Sequence, residues 1–141
     1  MSADPERVLK DGRAMDAWNQ MIAAQGGDPS AELPTAKHTH QVLAPADGVL
    51  VSLDAMAVGM SAWRLGAGRS RKEDPVQAGA GVEIHAKPGG EVRAGEPLFT
   101  LHTDTPERFE QAEAALEGGY QIAPQGSRPD HRPLIIDRIT V

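Results

Sequence analysis

The sequence predicts an α+β fold, and three observations lead to that class. Apolar residues recur at helical spacing between Val8 and Gln25, and from about Gln41 the period falls to two. Glycine and proline, 15 and 11 of the 141 residues, punctuate the rest, so short elements joined by turns are expected rather than a long bundle. The expected arrangement is a helical arm and linker over residues 1–36, followed by a mostly antiparallel β-sheet domain with short helices over 37–141.

Asp4-Pro5-Glu6 reads as a helix start, with an acceptor at the cap, proline at the first helical position and an acid at the positive end of the helix dipole. Val8, Met15, Trp18, Met21 and Ile22 carry the helical period, and Gly26-Gly27-Asp28-Pro29 stops it. Gly12 lies inside this stretch, so one long helix or two short ones fit it equally well. Gln41–Ala44 reads as a strand and Pro45-Ala46-Asp47-Gly48 as a tight turn; Val49, Val51 and Leu53 then alternate with Leu50 and Ser52. Asp54 is placed to cap a short helix carrying Met56, Met60 and Trp63 on one face. Leu65–Pro75 reads as a glycine-rich, charged loop. Val82, Ile84 and Ala86 alternate with Glu83, His85 and Lys87 as a half-buried strand, and turns at Pro88-Gly89-Gly90 and Ala94-Gly95-Glu96 precede a strand from Pro97 to His102. Asp104-Thr105-Pro106-Glu107 opens a helix with Phe109, Ala112 and Leu116 on its apolar face, and Gly118-Gly119 ends it. Tyr120–Ala123 and 134–141 are the expected final strands. Met15, Met21, Met56, Met60, Trp18 and Trp63 are assigned to the core on their helical spacing.

Composition narrows the function classes. Hydrophobic residues make up 40% and charged residues 24%, as in ordinary soluble domains. The net charge of −6 supplies no basic surface to neutralise a nucleic-acid backbone. Without cysteine, disulfides, thiolate metal sites and thiol nucleophiles are excluded. No apolar run is long enough to span a bilayer, and a cytoplasmic location is expected.

Three ordered segments carry a resemblance. The first is Gly12-Arg13-Ala14 with Trp18, Met21-Ile22 and Gln25-Gly26-Gly27-Asp28-Pro29. The second is Leu65-Gly66-Ala67-Gly68-Arg69-Ser70-Arg71-Lys72-Glu73-Asp74-Pro75-Val76. The third is Gly81-Val82-Glu83-Ile84-His85-Ala86-Lys87, followed by Gly95-Glu96-Pro97-Leu98 and Leu101-His102. Together they resemble the C-terminal region of pyrimidine-nucleoside phosphorylases, with the bacterial thymidine phosphorylases most similar within that family. The resemblance implies a parent enzyme, a pentosyltransferase, in which phosphate attacks the anomeric carbon of thymidine and releases thymine and 2-deoxyribose 1-phosphate. It implies phosphate as co-substrate, no organic cofactor, and a homodimeric parent. It also implies that the phosphate site and the base-holding residues lie N-terminal to this segment, so no catalytic residue is carried over. The segment is expected to be a piece of that parent, inactive alone, whose partner is the rest of the chain. Lys87–Leu98, with Gly89, Val92 and Gly95-Glu96-Pro97-Leu98, resembles the hammerhead turn of the compact barrel-sandwich, biotinyl-like sheet.

Among side chains, Gly66, Gly68, Arg69, Arg71 and Lys72 form the best candidate, a loop close to cleft or phosphate. Glycines let backbone approach an anion and the cations add charge. The bland alternative is a solvated loop with Glu73 and Asp74 offsetting the cations, and the spacing is not that of a Walker loop. His38 and His40 share a strand face, and His85 or His102 is a conceivable third metal ligand, yet no metal is expected. Asp47 and Asp54 are better read as turn and cap residues than as an acid pair. The competing reading of the whole chain is a biotinyl- or lipoyl-like carrier. Its nearest carrier-like stretch, Asp54-Ala55-Met56-Ala57-Val58, contains no lysine.

Overall fold

The structure is a computed structural model that describes residues 4–69, 71–129, 135 and 137–139. The chain divides into two compact units, Met1–Leu33 and Pro34–Val141.

In the first unit, helix α1 spans Pro5–Lys10 and helix α2 spans Arg13–Ala24. The Asp4 carboxylate accepts the Glu6 N–H at 3.1 Å, satisfying one of the donors a helix start leaves over. Gly12 adopts φ +85, a left-handed conformation that divides the stretch into two helices. Gly26, at φ +81, follows the end of α2. Asp11 accepts from the Arg13 guanidinium at 2.9 and 3.0 Å, which holds its carboxyl below the ordinary carboxylate range. Asp28 is lowered in the same way, chiefly by the Ser30 hydroxyl and then by the Ser30 N–H. Neither helix buries a residue.

The second unit contains two three-stranded antiparallel sheets and no closed barrel among the described residues. One sheet has the order β1-β5-β3, built from His38–Leu43, Pro97–Thr103 and Gly81–Ile84. The other has the order β4-β2-β6, from Glu91–Val92, Gly48–Leu53 and Tyr120–Ala123. Strand β1 begins three residues earlier than the apolar pattern indicates, because pairing with β5 recruits the polar residues His38, Thr39 and His40. Ala44 and the turn at Gly95-Glu96 exchange backbone bonds at 2.8 and 2.9 Å. The Asp47 carboxylate accepts the Ala94 N–H at 2.7 Å, so it ties this second turn down rather than serving only its own.

Helix α3 spans Ala55–Ala62, with the Asp54 carboxylate accepting the Met56 N–H at 2.9 Å. It runs into a wide π-type turn over Trp63–Ala67, in which Leu65 and Gly66 are buried. The expected loop therefore starts later than Leu65. A 3-10 turn over Pro106–Arg108 leads into helix α4, Phe109–Ala114. The helix start expected over Asp104-Thr105-Pro106-Glu107 is present, with Thr105 in the cap position, while the Asp104 carboxylate accepts the distant Lys37 N–H at 3.0 Å. Of the strand expected over 134–141, residues 135 and 137–139 are described and are not in a strand; the other positions lie outside the described residues.

Val42, Leu65, Leu98, Phe99, Leu101, Ala112 and Leu116 form one buried cluster, with Phe109, Tyr120 and Val82 packed against it. Phe99 and Tyr120 meet edge to face at 5.6 Å. The core assignment of the methionines and tryptophans is overturned. Met15, Trp18, Met21, Met56, Met60 and Trp63 are all exposed, Trp18 by 54% and Met56 by 69%. Helical spacing placed each set on one face correctly, but within its own unit the described residues leave that face exposed.

Gly48 lies where an added Cβ would meet the Ala123 carbonyl across the β2–β6 pair, whereas Gly81 faces open space. Gly48→Ala is expected to cost roughly 1–3 kcal/mol in urea denaturation and Gly81→Ala less than about 0.5. A Gly48→Ala protein as stable as the parent chain would refute this packing. The lowered carboxylates carry a sign as well: their contribution is complete above the ordinary carboxylate pKa and is lost as pH falls through the lowered values. Helicity measured by circular dichroism on residues 1–33 is expected to be flat near neutrality and to fall only in acid; loss on the alkaline side would contradict it.

Candidate functional site

The glycine-rich loop is held at its base by one residue, Gln77, through both its backbone and its side chain. Gln77 N–H donates to the Gly66 carbonyl at 2.9 Å, closing the loop from 66 to 77. Its amide oxygen accepts the Asp104 N–H at 2.7 Å, and its amide nitrogen donates to Thr105 Oγ1 at 2.9 Å. The backbone donor fixes which end of the amide is oxygen. Thr103, at the end of β5 and fully buried, has its hydroxyl 2.7 Å from the Leu65 carbonyl and 3.0 Å from Gln77 Oε1. That single proton serves one of these acceptors at a time, while the hydroxyl oxygen accepts the Thr105 N–H at 3.1 Å. The end of α3, the end of β5 and the entry to α4 are thus tied at one point.

Gly66 sits in this knot at φ +109, with Gln77 and the Arg108 guanidinium 3.0 and 3.3 Å from where a Cβ would be. A left-handed backbone and crowding both select glycine there. Gly68 lies against the Trp63 ring, and an added Cβ would fall 2.8 Å from Cδ1.

Beyond the knot opens a cleft of about 520 Å³, bordered by Trp63, Arg64, Gly68, Asp74, Glu107 and Arg108. Arg64 Nη1 donates to the Gln111 carbonyl at 3.1 Å and Arg108 Nη1 to the Arg64 carbonyl at 3.3 Å. Each guanidinium is thereby oriented and keeps further donors. Two acids border the same cleft, so its charges are mixed.

The structure separates the residues singled out in the loop. Gly66 is buried in the knot, Gly68 borders the cleft, and Arg69, Arg71 and Lys72 are exposed on the loop. Arg69 Nη1 folds back onto the Lys72 carbonyl at 3.1 Å, and the Arg71 N–H is accepted by Asp74 at 2.9 Å. Ser70 lies outside the described residues. The basic residues at the cleft are instead Arg64 and Arg108, which the sequence reading passed over. They are 44 positions apart and share no local motif; only the packing of α4 beside the turn after α3 brings them together.

The histidines do not converge. The β1–β5 register sets His40 opposite Leu101 and His102 opposite Thr39, so His38 and His40 are on one face of the sheet and His102 on the other. His40 Nε2 meets Glu113 at 3.1 Å, His102 Nε2 meets Glu83 at 3.6 Å, and His85 Nε2 meets Thr100 Oγ1 at 2.7 Å. Among the described residues no three His, Asp or Glu side chains are grouped to hold a metal. Asp54-Ala55-Met56-Ala57-Val58, the carrier-like stretch, starts helix α3 rather than forming a hairpin.

Comparison with known proteins adds the following. Residues 49–123 match the family model described as pyrimidine nucleoside phosphorylase C-terminal domain. Over 136 residues the chain is 56% identical to a thymidine phosphorylase of Mycobacterium tuberculosis, covering 96% of this chain and 31% of that protein. It is 34% identical over 141 residues to a pyrimidine-nucleoside phosphorylase of Geobacillus stearothermophilus, covering 96% and 32%, and 37% identical over 113 residues to human thymidine phosphorylase, covering 70% and 23%. The chain thus spans about a third or less of these relatives. These similarities lend no support to a carrier module.

Removing the knot's central amide tests its role. Gln77→Ala is expected to lower stability by about 1–3 kcal/mol, because the partners it leaves unpaired are partly buried. It is also expected to speed tryptic cleavage at Arg69, Arg71 and Lys72, since only the backbone bond from Gln77 to Gly66 then holds the loop base. Unchanged cleavage in a destabilised protein would show that the loop does not depend on the knot.

Proposed function

The chain belongs to the pyrimidine-nucleoside phosphorylase family, as its C-terminal domain, and from this premise we propose that it completes an enzyme that converts thymidine and phosphate to thymine and 2-deoxyribose 1-phosphate. The observation that carries the reading is the 56% identity to a thymidine phosphorylase across 96% of the chain, together with the family match over 49–123. In this reading residues 37–141 are the domain and 1–36 its helical arm. Phosphate is co-substrate and no organic cofactor takes part; the remainder of the parent chain is the partner, the parent is a homodimer, and the reaction takes place in the cytoplasm. Lys87–Leu98 serves as a hammerhead-like element of a biotinyl-type sheet.

Physical chemistry supports a supporting rather than catalytic role. Phosphorolysis needs convergent donors for an anion and polar groups for a planar base, facing each other across the anomeric carbon. Here the oriented cations beside the cleft, Arg64 and Arg108, share it with Asp74 and Glu107. The domain therefore contributes a wall. Gly66, Gly68, Arg69, Arg71 and Lys72 form the part of that wall nearest the substrate cleft, with the loop positioned through Gln77 and its exposed cations available to an opposing domain.

Two assays test this. The 141-residue chain alone is expected to release no thymine from thymidine, followed by absorbance; measurable turnover would end the proposal. In an intact enzyme carrying this domain, Arg69→Ala with Arg71→Ala is expected to lower kcat/KM by roughly 10- to 100-fold through misplaced closure, with unchanged fold. Unaltered kinetics would remove the loop from the cleft while leaving the domain assignment intact.

A further inference from the structure

Helix α3 has a composition that fits no exposed helix. Ala55-Met56-Ala57-Val58-Gly59-Met60-Ser61-Ala62 has no charged residue, and an apolar sequence on every side belongs to a helix enclosed on every side. Among the described residues only half of that enclosure is present. Ser61 and the following Leu65 are fully buried, and Val58 packs against the core. The opposite face carries Met56, Gly59, Met60 and Trp63, spaced i, i+3, i+4 and i+7, and it is open: Met56 is 69% exposed and Trp63 39%.

Gly59 sharpens the point. A glycine inside a helix is less favourable than alanine, and no contact among the described residues requires one here. A Cβ at this position would meet no atom within 4 Å. Flanked by two methionines and a tryptophan, the missing side chain leaves a notch that admits a close approach by another backbone. Methionine and aromatic residues around such a notch are the composition of an interface centre.

We propose that this face, centred on Gly59, is the docking surface for the part of the phosphorylase chain that precedes this domain. The inference rests on the reading given under Proposed function. What favours this occupant is the length of chain outside the structure: the matching domain is C-terminal, and the relatives extend to about three times the length covered here. The face adjoins the cleft at Trp63, so a segment seated on α3 reaches the same border as Arg64 and Gly68. Its own surface toward α3 is apolar, with a small residue or exposed backbone opposite Gly59.

Methionine oxidation reads the face directly, since peroxide converts accessible thioethers to sulfoxides. The chain is compared alone and joined, in native order, to the N-terminal remainder of the mycobacterial relative. Peroxide oxidation of Met56 and Met60, followed by mass spectrometry, is expected to be at least tenfold slower in the joined protein. Gly59→Leu is expected to leave the melting temperature of the isolated chain unchanged or raised, and to restore fast oxidation in the joined protein. Equal oxidation rates in the two unsubstituted proteins would overturn the proposal, whatever the variant does. So would a dimer of the isolated chain, seen by light scattering and dissolved by Gly59→Leu, which would assign the face to a second copy. Thymidine phosphorolysis by the unsubstituted joined protein reports separately on the function: protected methionines without turnover would leave the interface standing and remove the activity.

Discussion

The side-chain amide of Gln77 is the constraint on which the site end of the molecule depends. Three elements finish close to it, namely the turn after α3, strand β5 and the 3-10 turn before α4, and each leaves polar backbone groups that its own hydrogen-bond ladder does not use. The Gln77 and Thr103 side chains answer those groups, and the Gln77 N–H closes the loop onto Gly66. Because Thr103 is wholly buried, its hydroxyl must find a partner inside the protein, and the Leu65 carbonyl provides it. A glycine-rich loop would otherwise be the least ordered part of the domain. Tied at its base, it keeps Gly68 against Trp63 and leaves its cations on the outside.

The rest of the domain is arranged to present that end. The two small sheets bury Val42, Leu98, Phe99 and Leu101 with Ala112 and Leu116 of the α4 region, a core that is real but limited. Much of the chain's bulky apolar surface is not spent on it. Helix α2, and helix α3 with the turn that follows it, each show two methionines and a tryptophan to the outside. Large apolar side chains exposed together on one helix face are candidates for an interaction surface. Among the described residues a limited core is thus paired with bulky apolar side chains left outside it.

Much of the local structure was legible in the residues. The Asp4 and Asp54 caps, the Gly12 interruption, the turns at Pro88-Gly89-Gly90 and Ala94-Gly95-Glu96, and the apolar face of α4 follow from short-range rules and recur in the structure. The misses have a common cause. Strand β1 extends into polar residues because β5 pairs with them, and the bond from the Lys37 N–H to Asp104 joins residues far apart in sequence. Arg64 and Arg108 meet only through packing, and the histidines separate onto two faces because of a register that no local pattern encodes.

By itself, then, the sequence determined the α+β class, most element types, and the family through three ordered segments, because caps, turns and periodicity act over a few residues. Which surfaces are inside was decided by the tertiary structure alone. Periodicity shows that Met56, Met60 and Trp63 share a side of their helix, but whether that side is covered depends on how many elements are at hand to cover it, a property of the assembled chain rather than of any stretch within it.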